Sequence, residues 1–272
     1  MQFFPSAALA PYIKNYTVVT IEKQLDNEVF YPSGYIDLVI NIFNGTAATI
    51  INGTKKETPA IELLGHLTLP TRLSVTKGTV VLIARIYPHA AALFFTDSLA
   101  DFTNYATDLN DVFSGETMIL HHKLMEVETI EAKINVLEKY FLGKLVKNEN
   151  RTKKTGIAQQ LCQHLTAGYH NFELSALAQY SGYSERYIQK LFLSNIGISP
   201  ASFVAVVRFN KSLNQVLATA DSFTAIAYEH GYYDQAHFIK EFRKFTGITP
   251  SQARRSLVNN GEEYQQAVNI GF

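Results

Sequence analysis

The fold of the C-terminal half is decided by the stretch Ile226-Ala-Tyr-Glu-His-Gly-Tyr-Tyr-Asp-Gln-Ala-His-Phe-Ile-Lys-Glu-Phe-Arg-Lys-Phe-Thr-Gly-Ile-Thr-Pro250. Gly231 separates two helical patterns, where a tight turn favours a residue that adopts positive φ. Asp234 stands at the N-cap of the second helix, where its carboxylate can accept from unpaired backbone amides. Gly247 then marks the end of that helix, and Pro250 begins the next one. The stretch therefore predicts a helix-turn-helix unit.

A second copy of this pattern lies upstream. The segment Leu174-Ser-Ala-Leu-Ala-Gln-Tyr-Ser-Gly-Tyr183 matches Thr224-Ala-Ile-Ala-Tyr-Glu-His-Gly-Tyr232, and Phe192, Gly197 and Pro200 each recur 50 positions later. Ser184 takes the N-cap position that Asp234 has in the second copy, and Asn171 and Ser222 are candidate N-caps of the two first helices. An internal repeat of this kind predicts two helix-turn-helix units.

Helical periodicity separates the buried face of each second helix from its exposed face. Aromatic and aliphatic stripes (Ile188, Leu191 and Phe192; Phe238, Phe242 and Phe245) must pack on the preceding helices. The side chains left outside suit base edges, because Gln pairs with adenine, Lys and Arg donate to guanine, and apolar groups contact the thymine methyl. An ordinary solvated face is the alternative. The exposed residues are Arg186, Gln189, Lys190 and Leu193 in the first unit and Gln235, Ala236, Ile239, Lys240 and Arg243 in the second, with His237 at the edge.

The segment from Pro200 to Ala218 joins the two units. Its apolar residues recur with a helical period, and about 18 residues at 1.5 Å each span roughly 27 Å. Successive major grooves on one side of DNA lie about 34 Å apart. One chain with such a connector can place two reading helices in successive grooves.

These residues closely resemble the AraC/XylS family of bacterial transcription regulators, over roughly residues 155–255. The resemblance implies a sequence-specific domain that binds double-stranded DNA. Carried over position by position, it implies base contacts by Arg186, Gln189 and Lys190 in the first unit and by Gln235, Ala236, His237, Ile239 and Lys240 in the second. Phosphate contacts are expected from Ser184, Arg243 and Lys244.

Charge and composition support a division into two domains. Residues 151–258 contain twelve basic and six acidic residues, a net charge of +6, and since the chain has 24 of each, the rest carries −6. A basic half suits a polyanionic partner, although chance segregation of solvated charge is the alternative. We expect a sensing or dimerisation domain at 1–146, a linker at 147–154, the DNA-binding domain at 155–258 and a tail at 259–272.

The N-terminal half has the short, β-branched segments of a β-domain. Residues 16–21, 35–42, 48–51 and 79–86 are predicted strands, and Asn52-Gly53 predicts a two-residue hairpin. Helical patterns follow at 89–95, 99–106 and 129–145. This order is similar to the sensor domains of the same family, which are cupin-like β-barrels that bind small effectors and often dimerise. The expected fold is therefore α+β with two domains: an antiparallel cupin-like β-barrel with packing helices, followed by an all-α domain with two helix-turn-helix units.

Three functions remain open for the N-terminal domain. It binds a small-molecule effector, it is a dimerisation or protein–protein module without ligand, or it is an enzyme that uses the barrel. An effector pocket would draw on aromatic and basic residues, with a closed, filled barrel as the alternative, so no effector-binding residue is assigned. The candidates are Phe30, Tyr31, Tyr35, Arg72, Arg85 and Tyr87. A homodimer and a contact with RNA polymerase are both compatible with a regulator.

Catalytic and metal sites are not expected. The sequence has no Gly-rich phosphate loop, nucleophile elbow or zinc-protease motif. Cys162 lies among Ile157, Leu161 and Leu165, which indicates a packed thiol. His66 and His89 lack an H-x-H partner, and the pair His121-His122 falls in a helix or loop, so neither a metal nor another cofactor is predicted. A single cysteine and the lack of a signal peptide or long apolar run predict a cytoplasmic protein that does not contact membrane.

Overall fold

The computed structural model describes residues 1–43, 45–51, 53–95 and 98–260, and for Ser114 and residues 256–260 it describes the backbone only. The described residues of the N-terminal half form ten strands. They are β1 (Gln2–Phe3), β2 (Ile13–Thr20), β3 (Leu25–Phe30), β4 (Ile36–Phe43), β5 (Ala47–Ile51), β6 (Thr54–Glu57), β7 (Ile61–Leu64), β8 (Thr71–Val75), β9 (Val80–Ile86) and β10 (Ala106–Asp108).

In the part of the chain that the structure describes, ten α-helices pack on this domain or follow it. They are α1 (Ala91–Phe94), α2 (Leu109–Glu126), α3 (Ile130–Lys147), α4 (Thr152–Ala167), α5 (Leu174–Ser181), α6 (Glu185–Asn195), α7 (Pro200–Ala218), α8 (Phe223–Glu229), α9 (Gln235–Thr246) and α10 (Pro250–Asn260). In the described part of the chain no single helix is long and apolar enough to cross a membrane, whereas α6 and α7, bent by 63°, pass that test as a pair.

The strands form two antiparallel sheets that enclose a cavity. The six-stranded sheet has the order β1-β2-β9-β4-β7-β10, and the four-stranded sheet has the order β3-β8-β5-β6. Side chains alternate between the two faces of a strand. In β4, Leu38 and Ile40 are fully buried in the core shared with the helices, whereas Asp37 and Val39 line the cavity between the sheets. The six-stranded sheet is thus covered on both faces.

Helices α1 to α3 belong to the core of the N-terminal domain. The rings of Phe94 in α1 and Phe141 in α3 lie 4.7 Å apart, and both side chains are buried in the same apolar cluster as Leu124 of α2. Asp108 begins α2, because its carboxylate accepts from the Asn110 amide at 2.8 Å. The expected arrangement of an antiparallel β-domain with packing helices is confirmed.

The C-terminal half is helical and has two apolar cores that share α7. Phe203 and Val207 of α7 pack in the core formed with α4, α5 and α6. Phe209 and Leu213 pack in the core formed with α8, α9 and α10. Ten of the nineteen residues of α7 are buried, so this connector is a core element of both units.

Several local expectations differ from the structure. The helix expected at 99–106 is wrong: a single 3-10 turn, Ala100–Phe102, is followed by β10, whose pairing with β7 outweighs the local helical pattern. The polar run at 147–154 is mostly helical, since α3 reaches Lys147, a 3-10 turn spans Glu149–Arg151 and α4 begins at Thr152; its role as a linker between domains stays a prediction. Asn52 of the predicted hairpin and residues 261–272 of the tail lie outside the described residues.

Candidate functional site

The first helix-turn-helix unit is built from α5 and α6. Gly182 has φ 71°, which allows the tight turn between the two helices. Ser184 caps the N-terminus of α6, because its hydroxyl accepts a hydrogen bond from the Tyr187 amide at 3.3 Å. The stripe of Ile188, Leu191 and Phe192 is buried, as expected. The opposite face of α6 is exposed, and it carries Arg186, Gln189, Lys190 and Leu193.

The second unit repeats this geometry with α8 and α9. Gly231 has φ 71°, and Asp234 begins α9 because its carboxylate accepts from the His237 amide at 2.7 Å. Ser222 caps α8 in the expected way by accepting from the Ala225 amide at 3.1 Å. Asn171 does not cap α5, which begins after Glu173 without a side-chain cap. The exposed side chains of α9 include Gln235, Ala236, Lys240, Arg243 and Lys244, and His237 and Ile239 are half-buried.

Some of the predicted base-contacting groups of α9 already have partners. The Gln235 Oε1 accepts from the Thr224 hydroxyl at 2.6 Å, which leaves its amide group as a donor. The His237 Nδ1 accepts from the Tyr233 amide at 3.3 Å. Ile239 packs partly on the core of the second unit. Lys240 therefore has the strongest outward-facing donor on the predicted reading face.

Two exposed tyrosines were missed by the sequence reasoning. Tyr183 and Tyr233 each stand one position before the N-cap of a second helix, and they are 37% and 91% exposed. An aromatic residue at the same place in both repeats is the signal that could have identified them. Tyrosine hydroxyls are common donors to DNA phosphates.

The first unit lies against the N-terminal domain. Ser98 and Ala100 share a surface groove with Arg186, Gln189 and Lys190. At the end of α6 the Leu99 amide donates to the Ser194 carbonyl at 2.9 Å.

The contact continues at the turn after α6. The Thr103 hydroxyl donates to the Gly197 carbonyl at 2.6 Å. Gly197 has φ 93°, and a Cβ there would lie 2.7 Å from the Thr103 Oγ1 and 2.9 Å from the Leu99 carbonyl oxygen. Only glycine fits this close approach of the two domains.

A cavity of about 90 Å³ lies between the two sheets. A single water needs roughly 10–15 Å³ on the same kind of measure, so the space exceeds a packing defect. Phe30, Tyr31, Tyr35 and Arg85 line this cavity, whereas Arg72 and Tyr87 are not among its lining residues. Apolar side chains of both sheets supply most of the wall, among them Val39, Leu73, Val75, Val81 and Ile83.

The charged groups of the cavity differ in their pairing. Arg85 Nε and Nη2 donate to the two carboxylate oxygens of Asp37, each at 3.0 Å. Burial opposes the charge on Arg85, but the Asp37 carboxylate outweighs burial and raises the pKa of the guanidinium. Glu62, which is 2% exposed, has a pKa raised to about 7, mainly by burial.

The segments at one end of the cavity contact the connector helix α7. The ring of Tyr31 lines the cavity and meets Phe209 edge-to-face at 6.3 Å. The Asn210 Nδ2 donates to the Pro32 carbonyl at 3.0 Å. The ring of His66 packs against Phe203 at 6.4 Å, and burial lowers the pKa of His66 to about 4. The cavity wall and the C-terminal helical domain are thus in direct contact.

The described residues contain no group of three or more His, Cys, Asp or Glu side chains that could hold a metal ion. His121 and His122 lie on α2, where His122 pairs with Glu126 at 3.3 Å on the exposed surface. Cys162 is buried in the core of the first unit, and burial raises the pKa of its thiol. A protonated, enclosed thiol is a poor nucleophile.

Two families match the chain. The helix-turn-helix domain family matches residues 177–256, and a domain of unknown function, DUF6597, matches residues 1–108. The chain is 24% identical over 190 residues to an uncharacterized HTH-type transcriptional regulator of Staphylococcus aureus (strain MSSA476), which is 68% of this chain and 26% of that relative. It is 29% identical over 123 residues to an uncharacterized HTH-type transcriptional regulator of Haemophilus influenzae, 45% of this chain and 39% of the relative. The chain thus matches about a quarter of the length of the first relative.

Solved structures of similar proteins were also found. ToxT from Vibrio cholerae with an unsaturated fatty acid bound is 14% identical, with a TM-score of 0.46 over 93% of this chain and 95% of ToxT. A probable AraC family transcriptional regulator from Rhodopseudomonas palustris is 27% identical, with a TM-score of 0.35 over 37% of this chain and 96% of that protein.

Proposed function

Because the chain belongs to the AraC family of transcription regulators, through its helix-turn-helix domain, we propose that it is a sequence-specific DNA-binding regulator that responds to a small molecule. The observation that carries the proposal is the repeated unit: two N-capped second helices, each with an exposed polar face, joined by one buried connector. Such a chain reads two segments of one duplex without a second subunit.

The residues that contact DNA fall into two groups, one for base edges and one for phosphates. Arg186, Gln189 and Lys190 in α6 contact base edges in one major groove. Gln235, Ala236, His237, Ile239 and Lys240 do so in the next, with Gln235 acting through its amide donors. Ser184, Arg243 and Lys244 contact phosphates and set the position of the protein on the duplex.

Selection of bound sequences from a random duplex library at near-physiological salt tests the DNA-binding function, since weak non-specific binding is suppressed there. The intact protein should enrich two elements about one helical turn apart. Gln189→Ala should relax the preference in one element and Lys240→Ala in the other, by about 1–3 kcal/mol per lost contact. Lys244→Ala is the matched control and should weaken all sequences alike. Enrichment of no motif by the intact protein, with and without candidate effectors, would refute the proposal.

The cavity and its contacts support the effector response. Tyr31 touches both the cavity and Phe209 of α7, so an occupant that moves this ring changes the packing on the connector. Asn210 follows Phe209 in α7, and its side-chain amide donates a hydrogen bond to the carbonyl of Pro32, the residue after Tyr31. An effector that binds the folded protein with different affinity in two arrangements of α7 shifts the balance between them. We expect operator affinity to change when an effector occupies the cavity.

A second candidate role for the N-terminal domain is dimerisation. Four large apolar side chains of α2 are 40–63% exposed: Val112, Met118, Ile119 and Met125. A group of exposed apolar side chains on one helix is typical of an interaction site. Analytical ultracentrifugation of the intact protein and of Ile119→Lys distinguishes the roles, since a dimer through α2 should dissociate in the variant, whereas an effector response through the cavity should persist.

A DNA-binding regulator acts where its promoters are, which in bacteria is the cytoplasm. A regulator that activates transcription also contacts RNA polymerase. The comparisons name transcription regulators, and catalysis has no part in the proposal.

A further inference from the structure

The chemistry of the cavity wall selects among effector classes. Two ionisable groups of the wall, Arg85 and Asp37, pair with each other through two parallel hydrogen bonds of 3.0 Å. Bidentate pairing uses the fork geometry with which a guanidinium binds a carboxylate. An anionic ligand would have to displace the buried Asp37 carboxylate, which costs far more than placing a neutral group beside the pair.

Glu62 is the acidic group without such a partner. It lies on β7, directly across from Val39 of β4, and lines the cavity with a side chain that is almost wholly buried. Within the part of the chain that the structure describes, no basic side chain forms an ion pair with it. The Thr49 hydroxyl on β5 and Lys56 on β6 favour its charge, whereas Asp108 on β10, its cross-strand neighbour, opposes that charge.

A second polar group of the cavity wall lacks a hydrogen-bond partner. Thr71 of β8 lines the cavity, is 4% exposed, and its hydroxyl has no hydrogen-bond partner. Buried hydroxyls nearly always have partners, and an orphaned one commonly marks the place of a missing ligand or water. Most of the other lining residues are apolar, among them Val39, Leu73 and Val81.

We propose that the cavity binds a small apolar primary amine, whose ammonium group pairs with the Glu62 carboxylate and whose hydrocarbon part lies against the aliphatic wall. The inference rests on the proposed effector response and names the chemical class of the effector. A buried carboxylate gains a compensating charge only when such a cation enters, so the cavity discriminates against neutral and anionic ligands of the same shape.

Three six-carbon probes test this class: n-hexylamine, 1-hexanol and hexanoate, each added to the full chain at pH 8. The midpoint of thermal unfolding should rise most with hexylamine, less with hexanol and least with hexanoate, because a ligand stabilises the state that binds it. In Glu62→Gln the advantage of hexylamine over hexanol should disappear. Glu57→Gln changes an exposed carboxylate on β6, in the four-stranded sheet; it is the matched control and should retain this advantage.

The pH dependence of hexylamine affinity gives a second readout. A carboxyl with a pKa of about 7 is roughly one-tenth ionised at pH 6 and nine-tenths at pH 8, so the affinity should rise about tenfold over this range. The affinity of Glu62→Gln for hexylamine should stay flat, as should that of the intact protein for hexanol. A flat hexylamine profile in the intact protein would overturn the role of Glu62.

The outcomes separate this inference from the proposed function. If hexanol or hexanoate stabilises the protein as much as hexylamine does, the cavity binds effectors but the amine class is wrong. If none of the three probes stabilises the intact protein, both the amine class and ligand binding in this cavity are wrong. The selection of DNA sequences is independent of either result.

Discussion

Replacing Glu62 by Gln should change how stability depends on pH even without any ligand. Burial raises the pKa of Glu62 from an ordinary 4.5 to about 7, so the folded protein holds a proton there that the unfolded chain releases. A group whose folded pKa is raised stabilises the fold less as pH increases through this interval. The contribution of this group to the stability of the intact protein should therefore fall between pH 4.5 and pH 8, whereas the buried His66, whose pKa is lowered to about 4, acts in the opposite direction and equally in the intact protein and the variant.

The expected loss of stability follows from the shift in the pKa of Glu62. At about 1.4 kcal/mol per pKa unit, the intact protein should lose on the order of 3 kcal/mol between pH 4.5 and pH 8 through this one group. Gln has nearly the same shape, carries no charge and keeps an oxygen that can accept from Thr49. Glu62→Gln should therefore be about as stable as the intact protein at pH 4.5 and roughly 3 kcal/mol more stable at pH 8.

Urea unfolding followed by far-ultraviolet circular dichroism at the two pH values measures this difference. Glu57→Gln serves as the control, because Glu57 is exposed on β6 and its replacement should change stability by the same amount at both pH values. An equal difference for Glu62→Gln at pH 4.5 and pH 8 would refute the reasoning, since the carboxyl would then be solvated in the folded protein.

Four further substitutions test the C-terminal half. Gly247→Ala should cost about 1–2 kcal/mol from its φ of 76° alone, whereas Gly197→Ala should cost about 1–3 kcal/mol more because its Cβ meets Thr103; equal losses in thermal unfolding would contradict the close domain approach. Asp234→Ala should lower stability by about 1 kcal/mol through loss of the cap on α9, and an unchanged midpoint would show that the cap is dispensable. Asn210→Leu should cost about 1–3 kcal/mol and speed proteolysis between the domains, because a buried carbonyl loses its donor; proteolysis at the original rate would exclude this contact as a tie between them.

The C-terminal half could be predicted from sequence because its signals are local. Turn glycines, capping side chains and a helical apolar period lie within a few residues of the structures they specify, and the repeat presented each signal twice. The exposed faces agree with the periodicity, with Ile239 and His237 more buried than expected. Their roles as base contacts stay predictions, because exposure does not identify what a side chain binds.

The N-terminal half was harder because its strands depend on distant partners. The predicted strands at 16–21, 35–42, 48–51 and 79–86 correspond to β2, β4, β5 and β9, which carry β-branched or apolar runs. β3, β7 and β8 were missed, since their short mixed sequences become strands only through the pairing that the sheets supply. Glu62 was missed for the same reason: a single acidic residue in a short apolar segment acquires its meaning from the cavity that surrounds it.

The shared burial of α7 has a consequence for the helical phase of the operator. Phe203 and Val207 anchor the first half of this helix in one core, and Phe209 and Leu213 anchor the second half in the other. The angle between the reading helices is therefore fixed by side-chain packing along one continuous helix. One base pair inserted between the two DNA elements rotates the second by about 35° around the duplex axis. A protein with two independently tethered domains can follow that rotation, whereas this chain must twist the DNA or release one element.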